Sequence, residues 1–129
     1  MKKYEYGEKP VIITGVADNW KAKDRWSFKV LLERFGSSMF KIGESDSGRK
    51  LKVTLAEYIE YVFYNRDDSP LYLFESSLEE HPEAKDMMND YTPATAFGGD
   101  LFTELLGESK APPHRWFLIG PQRSGSEVH

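Results

Sequence analysis

The chain has 129 residues, 40% of them hydrophobic and 14% aromatic, which is the composition of one globular domain or part of one. It has no cysteine, so disulfides and thiolate metal sites are excluded, and no apolar run approaches the length of a membrane span. The formal net charge of −4 argues against a nucleic-acid-binding surface and is compatible with a basic peptide partner.

In chain order, Pro10-Val11-Ile12-Ile13-Thr14 is a β-branched run closed by Gly15 and predicts a strand. Ser27 is placed to cap a helix whose Phe28, Leu31, Leu32 and Phe35 recur at helical spacing, and Gly36 suits a left-handed position at its end. Residues 39–42 and 50–53 predict a strand pair around Asp46-Ser47-Gly48, burying one face only. Thr54-Leu55-Ala56-Glu57 is a capping box, and the helix behind it carries Leu55, Tyr58, Ile59, Val62 and Phe63 on one stripe. Residues 66–70 form a polar turn. Leu71-Tyr72-Leu73-Phe74 is a wholly apolar strand, expected at the centre of a sheet. Pro82 suits the first turn of a helix reaching about Asp90. Asp100 is placed to cap a short helix through Leu106, stopped by Gly107, and residues 115–119 are the last clear strand. No repeat, low-complexity tract or linker interrupts the chain, so residues 1–129 are read as one domain or part of one.

Several ordered blocks carry a family resemblance: Arg66-Asp67-Asp68-Ser69-Pro70-Leu71-Tyr72-Leu73-Phe74-Glu75-Ser76-Ser77, Glu80-His81-Pro82, Asp100-Leu101-Phe102, Pro112-Pro113-His114-Arg115-Trp116-Phe117, and Gly120-Pro121-Gln122-Arg123-Ser124-Gly125-Ser126 with His129 last. Lys9-Pro10-Val11-Ile12-Ile13 and Gly43-Glu44 extend them. The sequence resembles the Jumonji-C oxygenases, and within them the subgroup that demethylates arginine and hydroxylates lysine. The resemblance implies an α+β chain: an N-terminal helix and strand region leading into the first strand of a double-stranded β-helix of the cupin or jelly-roll kind, 1–129 being the N-terminal part of that single domain. It implies an enzyme that uses Fe(II) and 2-oxoglutarate to hydroxylate or demethylate Lys- or Arg-class protein side chains. It also implies a Lys/Arg-rich protein or peptide substrate and nuclear residence, with the cytoplasm as the alternative. No membrane or direct nucleic-acid partner is expected, and a homodimer is compatible with the chain.

On that resemblance His129 is the first iron ligand. A site of two histidines and one carboxylate needs an Asp two positions further along the same strand, because strand side chains alternate. The expectation is therefore that the chain stops inside its metal motif and is inactive by itself. Tyr72 has two open roles: a core aromatic whose hydroxyl finds a backbone carbonyl, or a hydrogen-bond donor to the 2-oxoglutarate carboxylate. Ser126 is either a turn serine or a pocket hydroxyl near the co-substrate. Gln122, Ser126 and Glu127 depart from the subgroup's usual residues, and Glu127 adds negative charge beside the ligand.

No catalytic residue is assigned. His81 is expected as a cap or surface residue, and His114 as a loop residue. Arg115 is expected in a structural ion pair, Arg123 as solvated or paired with an acidic neighbour, and Trp20, Trp26 and Trp116 in the core. The acidic stretch 75–83 reads as a solvated face able to attract a basic tail. The competing reading of the whole chain is a non-catalytic binding or oligomerisation module, or a truncated isoform of such an enzyme.

Overall fold

A computed structural model describes residues 10–44, 50–94, 101–107 and 115–125. Among these, helix α1 spans Ala22–Arg25, α2 Phe28–Phe35, α3 Leu55–Tyr64 and α4 Leu101–Leu106. Strands β1 (Met39–Glu44) and β2 (Lys50–Thr54) form one antiparallel pair, and β3 (Leu73–Glu75) and β4 (Phe117–Ile119) form another. Two 3₁₀ segments, Leu78–Glu80 and Lys85–Asp90, lie between β3 and α4. The architecture is α+β with short antiparallel sheets, as the sequence predicts at that level.

The local signals explain the helices. Ser27 Oγ accepts the Val30 N–H at 3.4 Å, so α2 starts where its cap lies. Thr54 Oγ accepts the Glu57 N–H at 3.2 Å while the Glu57 carboxylate accepts the Thr54 N–H at 2.9 Å, which completes the capping box of α3. The Glu57 carboxyl titrates below its ordinary value because it accepts from the Thr54 side chain and backbone. At the end of α2, Gly36 is right-handed, at φ −54° and ψ −35°, and not left-handed. Glycine is needed there for space: a Cβ would come within 2.6 Å of the Leu32 carbonyl oxygen.

The core lies between α2, α3, the strands and the 3₁₀ segments. It is built from Leu31, Phe35, Phe40, Leu55, Tyr58, Ile59, Leu73, Leu78, Met87 and Phe117. β1 carries an irregularity between Lys41 and Gly43, where Gly43 adopts φ 134°. β3 packs beside β1 but takes its ladder bonds from β4, so it is short and not the centre of a wide sheet.

The predicted strand at 10–14 is absent. Val11, Ile12 and Ile13 are exposed, Ile12 at 90%, and no described segment pairs with them. β-propensity measures fit to a neighbouring strand, and without that neighbour a β-branched run has nothing to pair with. The helix predicted after Pro82 is a turn followed by 3₁₀ helix. Its end is fixed by Asp90, whose buried carboxylate takes Arg25 at 2.6 Å, Arg34 at 2.9 Å and the Trp26 indole N–H at 3.0 Å. Burial opposes the Asp90 charge, but the hydrogen bonds of Arg34 and Trp26 and the two guanidinium charges outweigh it and hold this carboxyl below its ordinary value.

Candidate functional site

β3 and β4 pair in the register Leu73↔Ile119, Phe74↔Leu118 and Glu75↔Phe117. Period two then divides their side chains. Leu73, Glu75 and Phe117 are buried on the core side. Tyr72, Phe74, Trp116 and Leu118 take the other side, where Trp116 is 61% exposed and Leu118 52%. The Tyr72 and Phe74 rings are 6.3 Å apart and those of Phe74 and Trp116 are 5.3 Å apart, both edge-on. Together with Ile119, Gly120, Ser124 and Gly125 these residues line a cavity of about 440 Å³. That volume, with apolar walls and a few hydroxyls, suits a small organic ligand.

The loop after β4 forms one wall. A Cβ at Gly120 would collide with Ser124 Oγ and lie 3.6 Å from Tyr72 Cβ, so glycine allows the turn to fold back over the tyrosine. The Ser124 N–H and Oγ–H both donate to the Pro121 carbonyl, at 3.1 and 2.8 Å. Arg123 adopts φ 73°, the left-handed region that a β-carbon disfavours. Its guanidinium donates to the Asp67 carbonyl at 3.1 Å and lies 3.9 Å from the Asp68 carboxylate, as expected of an arginine paired with acidic neighbours.

Two tyrosines of α3, one helical turn apart, hold the strands from behind. The Tyr58 hydroxyl accepts the Leu73 N–H at 2.9 Å and donates to the Ile119 carbonyl at 2.7 Å. Burial pushes its titration up to about 12. The Tyr61 hydroxyl accepts the Leu71 N–H at 3.0 Å and donates to the Asp67 carboxylate at 2.6 Å, and burial together with that carboxylate raises its pKa.

A second concavity, of about 370 Å³, includes Lys41, Lys52, Glu75, Glu80, His81 and Glu83. Two of its charges, Lys41 and Glu75, are committed to each other. Glu75 is buried and takes Lys41 at 3.0 Å, so the acidic stretch is not solvated throughout. His81 is a cap, as expected, but a buried one. Its Nδ1 accepts the Ala84 N–H at 3.0 Å, which places the ring proton on Nε2, facing the Met39 carbonyl at 3.1 Å.

Of the expected site residues, Tyr72 lines the first cavity, and among the described residues no carbonyl accepts its hydroxyl. Ser126 and His129 lie outside the described residues, as do His114 and Glu127. Among the described residues no three His, Cys, Asp or Glu side chains could together hold a metal ion. Trp116 is not in the core, because the inward position in its strand belongs to Phe117. Trp20 and Trp26 are half-buried around Tyr91, with ring centroids at 5.6 and 5.9 Å. Arg115 has no carboxylate partner among the described residues; its carbonyl accepts the Leu78 N–H at 3.2 Å. Sequence reading missed Phe74, Trp116 and Ser124 as cavity residues, although strict alternation from Tyr72 would have found Phe74.

Known proteins are similar to this chain in sequence. A bifunctional arginine demethylase and lysyl-hydroxylase of Caenorhabditis elegans is 44% identical over 120 residues, 93% of this chain and 30% of that protein. A lysine-specific demethylase of Arabidopsis thaliana is 36% identical over 128 residues, 99% of this chain and 13% of that protein. An arginine-specific demethylase of the same plant is 34% identical over 127 residues, 98% of this chain and 23% of that protein. The chain thus spans 30% or less of the length of these curated relatives. No family model matches it.

Proposed function

We propose, from the premise that this chain belongs to the Jumonji-C family over the segment it spans and is akin to the bifunctional arginine demethylases and lysyl-hydroxylases, that it carries the co-substrate wall of a protein-modifying oxygenase. The observation that carries this reading is the cavity between β3 and β4. It has one phenolic hydroxyl, from Tyr72, in walls that are otherwise mostly aromatic and aliphatic. A dicarboxylate such as 2-oxoglutarate needs few, well-placed donors and a dry surround, because charge-assisted hydrogen bonds strengthen where water is excluded.

In this reading the Tyr72 hydroxyl donates to the co-substrate carboxylate, and Ser126 contributes a second hydroxyl to the co-substrate pocket. His129 offers an imidazole nitrogen to Fe(II). β4 is the first strand of the double-stranded β-helix, so the cavity faces the barrel interior. Bound Fe(II) and 2-oxoglutarate would supply the oxidising chemistry with dioxygen; the chain's residues orient the co-substrate and exclude water. The substrate is a Lys- or Arg-bearing segment of another protein. Exposed Glu80, Glu83 and Asp86 on and beside the 3₁₀ segments give this face the sign that attracts such a segment.

The test is a titration of 2-oxoglutarate against the whole protein with Fe(II) and a Lys/Arg-rich peptide, reading succinate. Tyr72→Phe is expected to raise the 2-oxoglutarate requirement roughly tenfold to hundredfold, the effect of losing a hydrogen bond to a charged group, with the fold intact. An unchanged requirement returns Tyr72 to the role of a packing aromatic. Absence of succinate from the wild-type protein with any such peptide overturns the oxygenase reading.

A further inference from the structure

We propose that Arg123 is a positioning residue that fixes the wall of the Tyr72 cavity by tying the turn after β4, which lines it, to the turn that leads into Tyr72; the inference rests on the co-substrate reading above. Residues 66–70 lead into Leu71 and Tyr72, and residues 120–124 lead out of β4. The second turn borders the cavity through Gly120 and Ser124, and the first runs directly into Tyr72 on its wall, yet the two lie far apart in sequence. The Arg123 side chain crosses between them, donating to the Asp67 carbonyl at 3.1 Å and facing the Asp68 carboxylate at 3.9 Å.

The backbone points the same way. Arg123 is the only non-glycine residue with positive φ among the described residues, at 73°. A β-carbon is disfavoured there, so neighbouring contacts must hold the conformation. The guanidinium contacts across the gap do so, and the next residue is Ser124, whose Oγ and N–H close on the Pro121 carbonyl at the cavity wall. The far turn is itself anchored. The Asp67 carboxylate accepts the Tyr61 hydroxyl at 2.6 Å, and the same hydroxyl accepts the Leu71 N–H at 3.0 Å. A continuous chain of contacts therefore runs from α3 through Tyr61, Asp67 and Arg123 to Ser124, with Tyr72 and Gly120 inside it. Arg123 is itself exposed and does not line the cavity, so it acts through the turns.

Arg123→Asn separates positioning from backbone strain, because asparagine tolerates left-handed φ but lacks the fork. Two measurements are made on the whole protein. Amide hydrogen exchange at Leu71 and Ser124 is expected to quicken about threefold to tenfold in Arg123→Asn, discounted for the exposure of the contact, while the core amides of α3 stay unchanged. The apparent KM for 2-oxoglutarate is expected to rise by a similar factor with kcat little changed, and Arg123→Lys to restore part of both. Unchanged exchange at both amides overturns the clamp whether or not the protein binds 2-oxoglutarate. Quickened exchange with an unaltered KM overturns the positioning role. Failure of the wild-type protein to use 2-oxoglutarate at all is a failure of the co-substrate reading, and the exchange arm still decides the clamp.

Discussion

Removing one oxygen atom, in Tyr58→Phe, tests how the cavity's strands are held. The Tyr58 side chain is 1% exposed, and its ring packs against Leu55, Ile59 and the strand residues of the core. Phenylalanine keeps that ring, so the transfer and packing contributions change little. What disappears is one acceptor for the Leu73 N–H, at 2.9 Å, and one donor to the Ile119 carbonyl, at 2.7 Å. Leu73 is fully buried and cannot recruit water easily. One stranded N–H costs about 1–3 kcal/mol, and the carbonyl adds less because it has a second lone pair. The expected loss is about 2–4 kcal/mol, read as a lowered urea midpoint at unchanged slope. The alkaline limb supplies a second readout. The folded pKa, about 12, lies above the ordinary 10.0, so the neutral phenol favours the fold. Its contribution is complete below pH 10 and fades as pH rises through the folded value, a dependence that Tyr58→Phe should flatten. A loss under about 1 kcal/mol with an unflattened alkaline limb would refute the hydroxyl's role as the pin between α3 and the two strands.

Two further outcomes follow from other contacts. Asp90 has a depressed folded pKa, so its contribution is complete above the ordinary 3.8 and is lost as pH falls through the folded value. Asp90→Asn should therefore destabilise by roughly 2–4 kcal/mol at pH 7 and remove part of the acid limb below the ordinary 3.8, measured by thermal unfolding across pH; equal pH dependence in both proteins would contradict this. The exposed Trp116 and Leu118 should drive self-association of the 129-residue chain, read by light scattering over a concentration series and reduced by Trp116→Lys; a monomer at high concentration would remove the patch as a cause.

The parts of the fold that were legible in the sequence are those fixed within a few residues. Ser27 and Val30, or Thr54 and Glu57, are three positions apart, and the caps they make were readable because helix starts are decided locally. The β1–β2 pairing was readable for the same reason, as a short connection between two patterned runs. Asp90 gave no signal, since its partners Arg25, Trp26 and Arg34 are 56 to 65 residues away. The segment 10–14 failed for the same cause in reverse: its composition suits a strand, but a strand also needs a distant partner, and composition does not record one.

The candidate site shows why one strand can be found while its face is misread. Arg115-Trp116-Phe117-Leu118-Ile119 is apolar at four successive positions, so hydrophobicity alone cannot say which alternate pair faces the core. The choice is made by the register with β3, which sets Phe117 opposite buried Glu75 and leaves Trp116 and Leu118 on the cavity side. Register is a tertiary fact, fixed here by Tyr58, which bonds the backbone of both strands from 15 and 61 residues earlier in the chain. Tyr72 could be named from the sequence because a polar tip in an apolar strand stands out whichever way it faces. The aromatic wall around it could not. A strand that is apolar on both sides must cover two surfaces; the core takes one, and the cavity's Tyr72, Phe74, Trp116 and Leu118 form the other.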